Sequence, residues 1–301
     1  MNGSLDQLDD PTLAQRVDGS IAAAIESRGL PGSLAEAMRY AALGPGKRVR
    51  PLLVFRAAQA VGLDLSAVGP ANAACDAAAA AIEMVHAFSL VHDDLPAMDD
   101  DNLRRGRATT HVEFGEALAI LAGDALPTLA NAAVLAAEPA GLARGLAADL
   151  NRANLDMIAG QVRDTFPDDV PDAGDALNAL RATHRLKTGA LLRCAARMGG
   201  RCGGADADQL DALTAFADAV GLMFQVVDDL LDVTSDAATL GKATQKDTAA
   251  GKRTYPGVMG VDGARDEVVC LRDEAVAALA GFGAPADPLR RLVAELAARE
   301  R

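Results

Sequence analysis

An all-α fold is what this sequence predicts, on three observations. Alanine and leucine dominate while β-branched runs are scarce. Long apolar patterns recur at helical spacing, and proline and glycine fall at the joints between them. Half of the 301 residues are hydrophobic. A chain of this length hides about 75% of its extended surface, which excludes disorder as its main state. No low-complexity linker and no fixed-period repeat interrupts the pattern, so the expectation is one domain over 1–301, a bundle of about ten or more helices with apolar inward faces.

In chain order, apolar periodicity predicts helices at 12–28, 51–61, 71–94, 107–137, 141–165, 172–198, 206–235, 263–281 and 287–299. One more is announced at its start. Ser33-Leu34-Ala35-Glu36, after Pro31-Gly32, reads as a capping box in which hydroxyl and carboxylate satisfy orphan amides. Gly203-Gly204, Pro167 to Pro171 and Gly281 to Pro288 read as loops.

Composition narrows the function classes. The 42 acidic residues against 29 basic give a net charge of −13, and aromatics are 3% with no Trp. Such a field repels phosphate backbones and leaves no stacking platform, so nucleic acid is not an expected partner. Cys75, Cys194, Cys202 and Cys270 show no CxxC spacing, which suggests neither a disulfide framework nor a zinc site and fits a reducing cytoplasm. Residues 1–10 carry three Asp and no leader pattern. The longest uncharged apolar stretch, 125–137, contains Pro127 and falls short of the roughly 20 residues of a membrane span. A soluble protein is expected.

Two places break the apolar pattern with the same residue type. His92-Asp93-Asp94-Leu95-Pro96-Ala97-Met98-Asp99-Asp100-Asp101 ends one apolar segment, and Gln225-Val226-Val227-Asp228-Asp229-Leu230-Leu231-Asp232 lies inside another. On a helix Asp228 and Asp232 share a face, with Asp229 about a quarter-turn round. Carboxylates this close repel unless something neutralises them. A solvated acidic face would account for one such patch. Two patches favour Mg²⁺, which takes few protein oxygens, keeps waters and bridges to phosphates.

Cations cluster nearby in sequence: Lys47, Arg48 and Arg50; Arg104, Arg105 and Arg107; Lys242, Lys252 and Arg253; and Lys187 beside Thr188. They suit phosphate oxygens that a metal leaves uncovered, with surface salt bridging as the plain alternative. Glu83 and His86 form an ExxH element, but the other histidines lack a Glu three positions earlier, which argues against a di-iron bundle. No GxxxxGK[ST], GxGxxG or HExxH is present.

The ordered set GKRVRP (46–51), HDDLPAMDDDNLRRG (92–106), GQVRD (160–164), HRLKTG (184–189), FQVVDDLLD (224–232), GK (241–242) and GKRTYP (251–256) resembles the trans-isoprenyl diphosphate synthases, specifically those of bacterial farnesyl diphosphate synthase type. The resemblance covers about 40–256. It implies the isoprenoid synthase fold, helices around a central active-site cavity, and condensation of isopentenyl diphosphate with dimethylallyl or geranyl diphosphate to give farnesyl diphosphate. By position, Asp93, Asp94, Asp99, Asp228, Asp229 and Asp232 would hold Mg²⁺ against the allylic diphosphate, with Arg104, Lys187, Lys242 and Lys252 completing the shell. Isopentenyl diphosphate would sit on Lys47, Arg50, His86 and Arg105. Thr188 and Gln225 would turn oxygens toward the allylic cation, and the departing diphosphate would take the terminating proton.

Phe88 and Ser89, five and four positions before Asp93, are the implied chain-length residues, and the four-residue spacer Leu95 to Met98 is the arrangement of C15 producers. The resemblance further implies a homodimer. Asn102 and Gln245 depart from the family pattern, and Arg299 and Arg301 resemble its basic tail. Alternatives are a geranylgeranyl or other chain-length synthase, a terpene cyclase, and a non-catalytic subunit of a heteromeric prenyl synthase.

Overall fold

The computed structural model describes residues 10–166, 175–239 and 253–299. Among these the chain is helical apart from short connections and one two-residue hairpin. The helices divide between two compact units, one of residues 1–151 with 194–205, the other of 152–193 with 206–301.

The first unit begins with α1 (Asp10–Glu26), α2 (Gly32–Ala42), α3 (Val49–Ala60) and α4 (Pro70–Asp93). Helix α4 packs against α1, α2, α3 and α6 (Glu116–Leu135). Ala74, Ala78, Ala79, Ile82, Met84 and Val85 are all 1% exposed or less, which is what a nearly continuous apolar run requires of a helix surrounded by others. Arg16 of α1 secures this packing: its guanidinium donates to the Leu65 carbonyl at 2.9 Å, to Asn72 at 3.2 Å and to Asp76. Strands β1 (Leu103–Arg104) and β2 (Arg107–Ala108) pair antiparallel, and α5 (Thr110–Phe114) follows. The helices α7 (Ala140–Thr165) and α9 (Gly189–Cys202) each begin in one unit and end in the other.

The second unit holds α8 (Ala176–Lys187), α10 (Ala207–Thr239), α11 (Tyr255–Ala278) and α12 (Asp287–Ala297). Helix α10 packs chiefly against α11, and Arg181 of α8 donates to Glu267 of α11 at 2.7 Å.

The fold class is as expected, but four local features differ. Ser33 is no cap: Pro31 occupies that position in an extended conformation, no side chain caps the amides, and α2 starts at Gly32. The expected 107–137 helix is broken at Gly115, whose φ of 84° no β-carbon-bearing residue holds without strain, and its first residues belong to the hairpin. The expected 172–198 helix is broken at Thr188. Helix α11 is interrupted at Gly260, whose φ is 78°, so the helix expected from 263 follows that kink, and what sequence missed is the short helical segment before it, where Thr254 accepts from the Gly257 amide at 3.2 Å and Pro256 fits the first turn.

Three helices, Pro70–Asp93, Glu116–Leu135 and Ala207–Val233, are long and apolar enough to cross a membrane by length and composition, which the count of uncharged residues had not anticipated. The first and third windows are more than half buried within the protein.

Candidate active site

In the first unit the site grows from the C-terminal half of α4. After Asp93 the chain turns through Leu95-Pro96-Ala97-Met98 and folds back, so that the Asp99 amide donates to the Asp93 carbonyl at 2.9 Å. The spacer thereby returns the first and third aspartates of the motif to each other. Asp94 behaves differently. It is 3% exposed and gripped by Arg104, whose Nε donates to both carboxylate oxygens at 2.8 and 3.0 Å and whose Nη2 donates at 2.6 Å. This hydrogen bonding raises the guanidinium's affinity for its proton still further. Asp94 therefore anchors the β1 strand, while Asp93 is half-exposed and Asp99, Asp100 and Asp101 stand in solvent.

The basic turn before α3 is held by a residue in a costly conformation. Arg48 has φ 50° and ψ 34°, which a non-glycine residue occupies at about 1–2 kcal/mol. Its buried guanidinium offsets that by donating to Asp18 at 2.9 Å, Glu83 at 3.0 Å and the Gly44 carbonyl at 3.0 Å. Across the turn Arg105, also left-handed at φ 53°, donates to the Pro45 carbonyl at 2.6 Å. Gly46 makes this approach possible, since a β-carbon there would lie 2.4 Å from Arg105 Nη1 and 3.0 Å from Arg48 Nη1. Arg107 lies 3.3 Å from the centre of the Tyr40 ring, and the Tyr40 hydroxyl donates to the Ala108 carbonyl at 2.8 Å, which fastens the hairpin to α2.

A cavity of about 70 Å³ lies between these pieces. Four arginines, Arg48, Arg104, Arg105 and Arg107, line it against two carboxylates, Glu83 and Asp94, a local excess of two positive charges in a chain of net charge −13. His86 lines it too. Burial first, and then the fields of Arg50, Arg105, Arg104 and Arg48, hold its pKa well below the usual imidazole range, so it is neutral near pH 7. Burial pushes Glu83 upward despite the opposing Arg48. Lys47 is exposed and Arg50 half-buried on the same turn. The excess of positive charge makes this a cradle suited to an anion.

In the second unit the site is the break between α8 and α9. Two glycines let other backbones reach it. A β-carbon on Gly160 of α7 would lie 2.2 Å from the Lys187 nitrogen, and one on Gly221 of α10 would lie 2.9 Å from Gly189 Cα. Lys187, at the C-terminal end of α8 where the helix dipole favours a cation, donates to Asp164 at 2.5 Å. The Thr188 hydroxyl donates to Gln225 Oε1 at 3.2 Å, and Gln225 Nε2 donates to Asp229 at 2.9 Å. An acceptor-only carboxylate at one end fixes the amide's orientation and leaves its oxygen beside the hydroxyl.

Asp229, 7% exposed, also accepts from the Tyr255 amide at 2.9 Å and so ties α10 to the start of α11. Asp228 and Asp232 take the outward face, half-exposed and exposed. Arg299 approaches Asp228 at 3.9 Å and the Phe224 ring at 5.9 Å. In each acidic motif one aspartate, Asp94 or Asp229, is thus buried as an anchor while the others face outward.

Phe88 and Ser89 are half-buried on α4. Lys242, Lys252, Gln245 and Arg301 lie outside the described residues. Sequence reasoning assigned no role to Asp164 or Gly160, although both fall in the quoted GQVRD; Tyr40 carried no signal. Among the described residues no group of three or more His, Cys, Asp or Glu is gathered to hold a metal alone. Paired outward carboxylates with no nitrogen or sulfur donors suit a hard cation that keeps waters and takes its other ligands from a substrate.

The family model described as polyprenyl synthetase matches residues 31–275. Farnesyl diphosphate synthase of Escherichia coli (strain K12) is 44% identical over 247 residues, covering 80% of this chain and 79% of its own. Geranylgeranyl pyrophosphate synthase 11, chloroplastic, of Arabidopsis thaliana is 43% identical over 283 residues, 89% and 75% of the two chains. The apo crystal structure of an FPP/GFPP synthase from Zymomonas mobilis superposes with a TM-score of 0.82 at 34% identity, covering 96% and 97% of the chains.

Proposed function

Since the chain belongs to the polyprenyl synthetase family and is a trans-prenyltransferase, we propose that it is a Mg²⁺-dependent farnesyl diphosphate synthase, working as one domain over 1–301. The return of Asp99 onto Asp93 across a four-residue spacer, with Phe88 five positions before Asp93, is the observation that carries the reading. Asp93, Asp99, Asp228 and Asp232 would hold the metal, which when bound offsets the charge that grows on a departing diphosphate.

The chain's own residues do the rest. Lys47, Arg50, neutral His86 and Arg105 bind isopentenyl diphosphate. Arg104, Lys187, Lys242 and Lys252 bind the allylic diphosphate. As its carbon–oxygen bond breaks, the electron pair leaves with diphosphate, and Thr188 Oγ1 and Gln225 Oε1 face the allylic cation with lone pairs. The isopentenyl double bond closes the new carbon–carbon bond. A proton then passes to the departed diphosphate, so no side-chain base is required. Phe88 and Ser89 floor the hydrocarbon pocket and stop growth at C15.

We further propose a cytoplasmic homodimer. The exposed apolar residues Ile120, Leu121 and Leu135 of α6 give that dimer an apolar face. A geranylgeranyl product is the second reading, favoured by the 43% identity to a plant geranylgeranyl pyrophosphate synthase.

Incubating the protein with labelled isopentenyl diphosphate and each allylic starter, with Mg²⁺ or with chelator, tests the proposal. C15 product only with Mg²⁺ supports it. Turnover that persists in chelator overturns the metal role, and a C20 product overturns the chain length.

A further inference from the structure

Glycine inside a helix costs about 1 kcal/mol relative to alanine, so Gly123 in the middle of α6 calls for a reason. The structure supplies one. A β-carbon on Gly123 would lie 2.1 Å from His92 Nε2, 2.4 Å from Cδ2 and 3.0 Å from Cε1, so the imidazole of α4 fills the notch that the missing side chain leaves. Nε2 lies 3.3 Å from the Ile120 carbonyl, which can only accept, and 4.0 Å from Asp124. The ring is held on one edge by α6. On its other side it meets Phe88, one helical turn earlier on α4, edge to face at 5.0 Å between centroids and 76° between planes.

We infer that the His92 ring, seated in the Gly123 notch, is a positioning device that fixes Phe88 and thereby sets product length. The inference rests on the reading of Phe88 as the pocket floor. A half-buried phenyl ring without lateral support turns about χ1 and χ2 into whatever space is open, and a floor that turns aside no longer stops a growing chain. His92 removes that freedom because its own position is determined from the α6 side. The ligand concerned is the hydrocarbon tail of the allylic diphosphate, not its phosphates.

Three variants assayed for product spectrum at matched conversion separate the claims. Phe88→Ala tests the floor itself, and longer products are expected. His92→Ala keeps Phe88 but empties the notch, and a shift of one C5 unit or more is expected. His92→Ala/Gly123→Leu refills the space with hydrocarbon from the α6 side, and the wild-type product should return. Lengthening by Phe88→Ala with an unchanged spectrum from His92→Ala overturns the inference and spares the floor. An unchanged spectrum from Phe88→Ala overturns both. Failure of the double variant to restore the product overturns the notch. Should His92→Ala not accumulate in folded form, Gly123→Ala tests the same contact, because its β-carbon must displace the ring; a wild-type spectrum from that variant also overturns the inference.

Discussion

Replacing Gly160 by alanine separates catalytic placement from stability. The added β-carbon would meet the Lys187 nitrogen at 2.2 Å, Lys187 Cα at 2.6 Å and the Leu186 carbonyl carbon at 2.7 Å. All three are backbone atoms, so no rotamer change relieves the clash. Ordinary contact begins at 3.4 Å, which requires the end of α8 to retreat by roughly 1 Å. Overpacking of this kind costs about 1–3 kcal/mol, while alanine in a helix interior returns about 1 kcal/mol, leaving a net loss of about 0–2 kcal/mol. The effect on turnover is larger, because Lys187 and Thr188 move with that backbone. A misplacement of about 1 Å can cost 10²-fold. Incorporation of labelled isopentenyl diphosphate should therefore show kcat reduced by about 10- to 100-fold, with a melting temperature only a few degrees lower. Gly19→Ala in α1, where a β-carbon meets nothing within 4 Å, is the control and should leave both unchanged or raise stability slightly. A Gly160→Ala enzyme turning over within twofold of wild type would refute the reasoning.

Three other outcomes follow from the geometry. Asp229→Ala should lower stability by about 1–3 kcal/mol for each buried donor left without its acceptor, whereas exposed Asp232→Ala should change it by less than about 0.5 kcal/mol and instead raise the Mg²⁺ concentration needed for turnover; equal unfolding midpoints in urea would contradict this. Arg48→Ala strands the buried Glu83 and should cost about 3–5 kcal/mol by the same measurement, with a loss under about 1 kcal/mol as the contrary result. The depressed pKa of His86 means that the unfolded chain binds its proton more readily than the fold does. Its contribution to stability is present above about pH 6.5 and is lost as pH falls through the folded value. The melting temperature of wild type should then drop more steeply than that of His86→Gln between pH 7 and pH 5, and parallel curves would exclude the effect.

The long helices were legible because burial repeats along them: expected 71–94 is observed as Pro70–Asp93, and expected 141–165 as Ala140–Thr165. The breaks at Gly115 and Thr188 were not, since a helix propensity summed over twenty residues barely registers one interruption. Motif membership was legible, yet roles within a motif were not. Asp93 and Asp94 are the same letter, and only the position of Arg104 ten residues later separates an outward carboxylate from a buried one. Asp228 and Asp229 divide for the same kind of reason, through the Tyr255 amide 26 residues on. The left-handed Arg48 was invisible for another cause: nothing in the letters says that two distant carboxylates and the nearby Gly44 carbonyl outweigh its backbone cost.

Counterions thin the attraction between exposed charges over a Debye length of about 8 Å at physiological ionic strength, but reach a pair sealed from water far less. Arg48 and Glu83 are such a pair, at 6% and 7% side-chain exposure, while Lys47 and Arg105 beside them stand in solvent. On the proposed reading, potassium chloride acts on the capture of diphosphates and leaves the turn that would receive them in shape, so ionic strength becomes a dial for encounter alone.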